Sequence, residues 1–367
     1  MLNKTNHGAL SGPLIKELIS AGSISGIEEK NVRLSSLDLS VSDEIYKVQG
    51  FFHPYQGETV RDVLSLIKKK RHSPSSPFKR GEMYIARLNE SLSLPNSVYG
   101  FCNPKSTTGR LDIHVRVIAD RVPRFDSVVP GGWSGELWVS IVPKTFSIKL
   151  SKNQTLSQIR FFNADTRLSD LELELFSQKS PLLFGSDSKK IPWSKINTLD
   201  RDGSLILSLD CSKEVVGYRA KESSKPLNLS HLSFYEKSDF FVPIKKRGKN
   251  LHLKKNEFYI LSTQEQIRVP PWLACEMVPM DERSGEFRSH YAGFIDPGWG
   301  WGKNGEGKGR TLTLEVRPFE DLVVRDNQPI AKIRFERVAG PIKDGYDDMD
   351  SNYIQQKGAR LAKQFKP

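Results

Sequence analysis

The chain of 367 residues carries 55 Lys and Arg against 43 Asp and Glu, a formal charge of +12 at neutral pH, with 37% hydrophobic, 27% charged and 10% aromatic residues. That length exceeds one ordinary domain of roughly 100–200 residues, and the composition supports a hydrophobic core, which excludes a disordered or fibrous chain. No stretch approaches the roughly 20 consecutive apolar residues of a membrane helix, and charge interrupts the short apolar stretch near the N-terminus, so no membrane partner and a cytoplasmic location are expected.

In chain order, the first element is a helix over 13–21, with Ser11 placed to cap it, Pro13 in its first turn and Gly22 after it. Strands follow over 82–88, 112–118, 136–142 and 311–316, where apolar and polar residues alternate or nearly so and β-branched and aromatic types are frequent. Gly, Pro and Asn punctuate these runs at short intervals, which favours barrels or sandwiches. A Ser- and Lys-rich stretch, Gly185-Ser-Asp-Ser-Lys-Lys190, has loop composition and marks a connection. The tail from Asp344 is polar, with an acidic cluster followed by Lys and Arg, and is expected to order over a ligand. Cys102, Cys211 and Cys275 are dispersed, which fits reduced thiols rather than a disulfide framework or a CxxC metal site.

The chain repeats itself. Lys79-Arg-Gly-Glu-Met-Tyr-Ile85 recurs 175 residues later as Lys254-Lys-Asn-Glu-Phe-Tyr-Ile260, and at the same offset Leu94-Pro95 becomes Val269-Pro270. At an offset of 174, Asn153-Gln154 and Ile159-Arg-Phe161 match Asn327-Gln328 and Ile333-Arg-Phe335, while a Pro-Gly-Gly-Trp turn answers an Asp-Pro-Gly-Trp turn. Collinear blocks at nearly constant spacing argue for a duplicated domain, and the unit is too long for a solenoid repeat. The expected fold is therefore mainly β, with two tandem barrel domains and a few short helices. The boundaries are 1–165 for the first barrel, 166–217 for a connecting segment, 218–343 for the second barrel and 344–367 for the tail.

Two segments carry chemistry. Pro104-Lys-Ser-Thr-Thr-Gly-Arg110 places two cations, three hydroxyls and a glycine directly after a strand. Such donors converge readily on phosphate oxygens, although the order is not that of a Walker A loop and an ordinary solvated loop would read the same. Its counterpart, Pro279-Met-Asp-Glu-Arg-Ser-Gly285, has lost the early cation and gained two carboxylates, so it should repel phosphate. Glu315 shares a strand face with Thr311 and Thr313; a solvent-facing carboxylate is the plain alternative, and the matching residue in the first copy is Ser140.

At these residues the chain resembles the dCTP deaminase family within the dUTPase-like β-barrel superfamily, in its long duplicated form. That family has an Arg-Ser-Ser-x-x-Arg loop, an Asp-Pro-Gly-Trp turn, a strand bearing a catalytic glutamate, and a Lys-Tyr-x-x-Gln-x-Gly tail. Here Lys105 stands for the first arginine, Ser106 and Arg110 match the serine and second arginine, Asp296-Pro-Gly-Trp299 matches the turn, and Glu315 the glutamate. Asn352-Tyr-Ile-Gln-Gln-Lys-Gly358 resembles the tail with Asn in place of Lys, and the opening helix followed by Ser35-Ser-Leu-Asp-Leu-Ser resembles the family's start.

The resemblance implies deamination of dCTP to dUTP and ammonia, feeding thymidylate synthesis. Glu315 would shuttle protons between water and N3, Arg110 would hold the glutamate, and Ser106 would hydrogen-bond the water or departing amine. Substrate would be bound by Lys105, Thr107, Thr108, Gly109, Ala292, Asp296, Thr313 and Leu314, with Tyr346, Tyr353 and Gln356 closing over it. It further implies trimer-like assembly of barrels, as a dimer or trimer of duplicated chains. Ser106 and Arg110 would meet Glu315 across a barrel interface in the same or a neighbouring chain, and the reciprocal pairing of Ser140 with Asp281 and Arg283 would be inactive. Mg²⁺ would arrive with the triphosphate, and dTTP is a candidate feedback inhibitor. The HxE…PCxxC signature of zinc deaminases is absent, so no zinc is expected.

Other readings stay open at this point. A dUTPase, or a bifunctional deaminase-diphosphatase, shares the barrel; Asp296 or Asp120 could then activate water. A non-catalytic nucleotide-binding regulator is the alternative outside enzymes. No basic-aromatic motif points to nucleic acid. Trp133, Trp138, Trp299 and Trp301 read as packing residues, and His114 and His290 as structural histidines.

Overall fold

The computed structural model describes residues 6–246, 248, 250–289, 293–342, 345–348 and 358–367. The chain divides into two compact units. The first is built from residues 7–164 with 222–236 and 362–367, and the second chiefly from 165–221 and 237–361. Both are mainly β, as the duplicated pattern predicts, although their sheets do not close into complete barrels.

In the first unit an antiparallel sheet runs Ala9–Leu10, Thr155–Phe162, Leu37–Val48, Met83–Ser93, Ser134–Pro143, Ile113–Ala119. Alternation in the sequence becomes alternation in burial: along Tyr99–Pro104 every second residue is buried, and that strand pairs with Thr155–Phe162. The expected opening helix spans Gly12–Ser20 and stops where Gly22 takes a φ of +74°, open to glycine at no steric cost. Trp138, Ile85, Ile118, Val48, Val60 and Leu64 form a buried cluster beneath the helix Val60–Leu66. The short strand Lys69–Arg71, fully exposed, bonds to Tyr46–Val48.

Two larger antiparallel sheets dominate the second unit. One runs Phe294–Ile295, Leu273–Val278, Pro329–Ala339, Ser204–Ser208; the other runs Phe241–Lys245, Val215–Ala220, Tyr259–Ser262, Thr313–Pro318, Phe287–Arg288. Leucine, isoleucine and phenylalanine from both, with Trp299, make one continuous core. Residues 166–217, which sequence composition marks as a connection, supply this unit with the helix Asp170–Lys179 and strands of both sheets. That helix begins in a reciprocal cap, Ser169 accepting from Glu172 N and the Glu172 carboxylate accepting from Ser169 N.

The duplication is visible bond by bond. Tyr84 accepts from Lys79 N at 3.0 Å and donates to Glu82 at 2.7 Å; Tyr259 accepts from Lys254 N at 2.7 Å and donates to Glu257 at 2.6 Å. The turn residue before each glutamate has positive φ, Gly81 in one copy and Asn256 in the other, and each donates its N–H to a proline carbonyl, Pro143 and Pro318. Lys47 pairs with Glu82 as Arg219 pairs with Glu257. Two buried carboxylates also correspond: Glu90 accepts from Ser40 N at 2.9 Å and Glu265 from Ser208 N at 2.8 Å.

Candidate active site

The segment after the strand Tyr99–Pro104 in the first unit is a single helical turn, Ser106–Arg110. Two bonds pin it to the neighbouring strand, since Lys105 N donates to the Leu156 carbonyl at 3.0 Å and Thr108 Oγ1 donates to the same oxygen at 2.9 Å. Helical spacing sets Ser106 and Arg110 one above the other, and Arg110 Nε donates to Ser106 Oγ at 3.1 Å. Arg110 is buried, as are Thr108 and Gly109, while Ser106 and Thr107 remain partly accessible. The sequence-predicted serine and arginine are thus joined in one preformed pair.

Lys105 does not project into solvent. Its Nζ lies 2.5 Å from Asp38, a carboxylate 1% exposed, and 3.0 Å from Thr155 Oγ1, while Arg33 holds the same aspartate at 2.6 Å. Burial pulls the Lys105 ammonium below its ordinary pKa even with Asp38 opposing that shift. The corresponding segment of the second unit is closed on itself: Arg283 grips Asp281 with two hydrogen bonds of 2.7 and 2.9 Å, which draws the Asp281 carboxyl down to about 2.

Glu315 lies on the strand Thr313–Pro318, across from Ile260. It is 2% exposed, so the face that alternation assigns to polar residues is covered rather than solvated. The C-terminal tail bonds to the threonines that alternation places on the same face: Gly358 N donates to Thr311 Oγ1 at 3.0 Å and Arg360 N to Thr313 Oγ1 at 3.3 Å. Leu314 faces the core.

Asp296 ends the strand Phe294–Ile295 and opens the Asp-Pro-Gly-Trp turn. Residues 345–348 dock on this turn, with Tyr346 N donating to the Pro297 carbonyl at 2.8 Å and the Tyr346 ring 4.9 Å from that of Trp299. Asp347 accepts from Gly302 N at 2.8 Å and pairs with Arg310 at 2.6 Å. Part of the tail's acidic cluster, expected to order over a ligand, therefore serves to fasten the tail. Ala292, Tyr353 and Gln356, with His290, lie outside the described residues.

Asp120, one aspartate available for a water-activating role, is committed elsewhere: its carboxylate accepts from Val60 N at 2.8 Å and Glu136 N at 3.1 Å. Trp133, Trp138 and Trp299 are buried packing residues. Two open pockets, of 580 Å³ around Val41 and Asn153 and 820 Å³ around Val216 and Tyr259, are lined by none of the expected site residues. Sequence reasoning did not single out Asp38 as a partner of Lys105, because 67 residues separate them and only strand pairing brings them together.

Two family models match this chain: the 2'-deoxycytidine 5'-triphosphate deaminase N-terminal domain over residues 6–165 and the C-terminal domain over 169–365. A crystal structure of 2'-deoxycytidine 5'-triphosphate deaminase from Agrobacterium tumefaciens superposes with a TM-score of 0.82 at 32% identity, covering 91% of this chain and 100% of that one. No curated protein matches in sequence. Fold, duplicated architecture and the two family matches define a nucleotide deaminase built of two mainly β units. The chain belongs to the dCTP deaminase family.

Proposed function

We propose that this enzyme hydrolyses dCTP to dUTP and ammonia without zinc, drawing on functional groups of both units. The observation that carries the reading is the Arg110–Ser106 pair, held at 3.1 Å on a buried turn, in a chain whose glutamate at position 315 is also sequestered from solvent.

Water adds to C4 of the cytosine as Glu315 takes its proton. The same carboxyl passes that proton to N3, then carries the second proton from the new C4 hydroxyl to the amino group, and collapse of the tetrahedral carbon to the C4 carbonyl breaks the C4–N4 bond as ammonia leaves. A carboxylate away from bulk water suits this shuttle, because solvent is kept from competing for the protons it relays. Arg110 orients the carboxylate and Ser106 hydrogen-bonds the water or amine. Lys105, Thr107, Thr108 and Gly109 receive the triphosphate, which brings Mg²⁺ with it. Asp296, Thr313, Leu314 and the Ala292 backbone border the base, and Tyr346, Tyr353 and Gln356 belong to the closing tail. The cysteines support a route without a zinc ligand set, since Cys102, Cys211 and Cys275 are dispersed in sequence and form no CxxC pair. The resulting dUTP serves thymidylate synthesis.

The test is incubation with dCTP and Mg²⁺ while ammonia, dUTP and pyrophosphate are followed separately. Ammonia with dUTP supports the deaminase; pyrophosphate from dUTP identifies the dUTPase or bifunctional alternative; unchanged dCTP identifies a regulator. Glu315→Gln should lower ammonia release by about 10²–10⁴-fold while nucleotide still binds.

A further inference from the structure

The last residues of the chain return to the first unit. Ser233 N donates to the Lys363 carbonyl, Phe234 N and Tyr235 N donate to that of Gln364, and Gln364 Nε2 donates to the Leu229 carbonyl at 2.8 Å. This clasp fixes Lys363 in a partly buried position within the electrostatic reach of Arg33 and Asp38, and Lys363 is in turn among the charges felt by Lys105. One corner of the unit therefore gathers Arg33, Lys105 and Lys363 around one carboxylate, Asp38.

The corresponding corner of the second unit is different. Its strand positions are fixed by register, since Gln158 lies across from Asn103 in the first unit as Lys332 lies across from Val278 in the second. There Lys332 is 2.5 Å from Asp200 and 3.3 Å from Asp202, Arg334 is 2.6 Å from Asp202, and Arg283 is held by Asp281. Each of these three cations has a carboxylate of its own within 2.7 Å. In the first unit Arg33 and Lys105 share the single carboxylate of Asp38, and the Lys363 ammonium has no hydrogen bond or ion pair among the described residues. Burial depresses the pKa of both Lys105 and Lys363, and repulsion from Arg33 adds to the shift while Asp38 opposes it.

We propose that Lys363 and Arg33 join Lys105 in binding the phosphate chain of a nucleoside triphosphate, with Asp38 as the internal counter-ion that holds Arg33 and Lys105 until phosphate oxygens arrive. The C-terminus thereby contributes a substrate-binding residue to the unit that carries the phosphate loop. A condensed phosphate chain is the ligand class that fits, because its successive negative groups can engage several cations at once, whereas a single carboxylate already satisfies two of them. The assignment of the nucleotide rests on the deaminase reading; the recognition of condensed phosphate does not.

The experiment separates the two. Binding of inorganic tripolyphosphate and of dCTP to the full chain is measured by calorimetry for wild type, Lys363→Ala and Lys363→Arg. Lys363→Ala should weaken tripolyphosphate binding about tenfold and reduce the slope of affinity against salt, and Lys363→Arg should restore both. In turnover, Lys363→Ala should raise KM with kcat unchanged, the signature of uniform binding. Should the variant fold poorly, acetylation footprinting of wild type replaces it, with tripolyphosphate expected to protect Lys363 from the reagent. Tripolyphosphate binding that is unaltered in Lys363→Ala, or a lysine acetylated equally with and without the anion, overturns the proposal. Lys363-dependent tripolyphosphate binding by a chain that leaves dCTP intact would sink the deaminase reading and leave this subsite standing.

Discussion

Glu315 stands across from Ile260 in the second unit at the position where Ser140 stands across from Ile85 in the first. One place in a duplicated sheet thus holds a carboxylate in one copy and a hydroxyl in the other. The loop segments have diverged too: Arg110 is bonded to Ser106 in the first copy, and Arg283 is bonded to Asp281 in the second. Exchanging the two strand residues, with Ser140→Glu and Glu315→Ser in one chain, should leave deamination at least about a hundredfold below wild type, because the glutamate is then provided by the copy that already has the loop. Ammonia release near the wild-type rate would show that the copies are interchangeable and the division of labour unreal.

The buried carboxyl of Glu90 gives a pH dependence of stability with a definite sign. Burial pushes its pKa up to about 7, against hydrogen bonds from Ser40 N and Oγ that favour the anion. An unfolded chain returns it to about 4.3. Below that value both states hold the proton and the contribution is fully present. As pH rises towards 7 the unfolded chain releases the proton while the native chain keeps it, so stability falls by about 3 kcal/mol across this window. Glu265, also shifted upward by burial, acts in the same direction. Chemical denaturation of wild type and Glu90→Gln between pH 4 and 8 checks this: the variant should lose less stability over the range, and parallel curves would refute it.

Much of this architecture is legible in the sequence, and the reason lies in local chemistry. The block from Lys79 to Ile85 recurs because its residues act on their near neighbours. Gly81 or Asn256 makes the turn, Glu82 or Glu257 supplies a carboxylate, and the phenol of Tyr84 or Tyr259 links that carboxylate to the backbone. The pairing of Ser106 with Arg110 is readable too, since four residues make one helical turn. What stays hidden depends on chain crossing. Nothing near Lys105 announces Asp38, nothing in the polar tail announces that Lys363 returns to the first unit, and the alternation around Glu315 gives no hint that backbone from residues 358–360 covers the adjacent threonines. Composition misleads over 166–217, where a Ser- and Lys-rich loop flanks strands that belong to a core.

The twin tyrosines make a matched pair for measuring how alike the two copies are energetically. Tyr84 has its pKa lifted to about 12 by burial and by Glu82, and burial with Glu257 also lifts that of Tyr259, so each phenol remains a neutral donor. Tyr84→Phe and Tyr259→Phe should each cost about 1–2 kcal/mol, because each leaves a backbone N–H and a carboxylate short of a partner. Thermal unfolding of both variants tests the equivalence, and a loss confined to one copy would mean that the shared geometry does not carry shared energy.

Gly298 controls the docking of the tail. Its φ is +84°, and a Cβ there would lie 2.6 Å from both Gly345 Cα and Tyr346 N. Gly298→Ala should cost about 1–2 kcal/mol from backbone conformation alone and should also dislodge residues 345–348 from the turn. Limited proteolysis should then cut more rapidly within 342–360, and KM for dCTP should rise. An unchanged cleavage pattern would show that the tail's position does not depend on this contact.

The exposed strand Lys69–Arg71 bonds to Tyr46–Val48, and the strand Phe241–Lys245 bonds to Val215–Ala220 and ends on a lysine followed by Lys246. Open backbone groups along such margins invite a second chain to extend the sheet, the first step of aggregation. A copy approaching Lys69, Lys70 and Arg71 edge to edge would set like charges against like, and Lys245 and Lys246 would oppose the same approach in the other unit. Part of the charge of +12 therefore lies where it opposes edge-to-edge extension of either sheet, a role that needs no ligand.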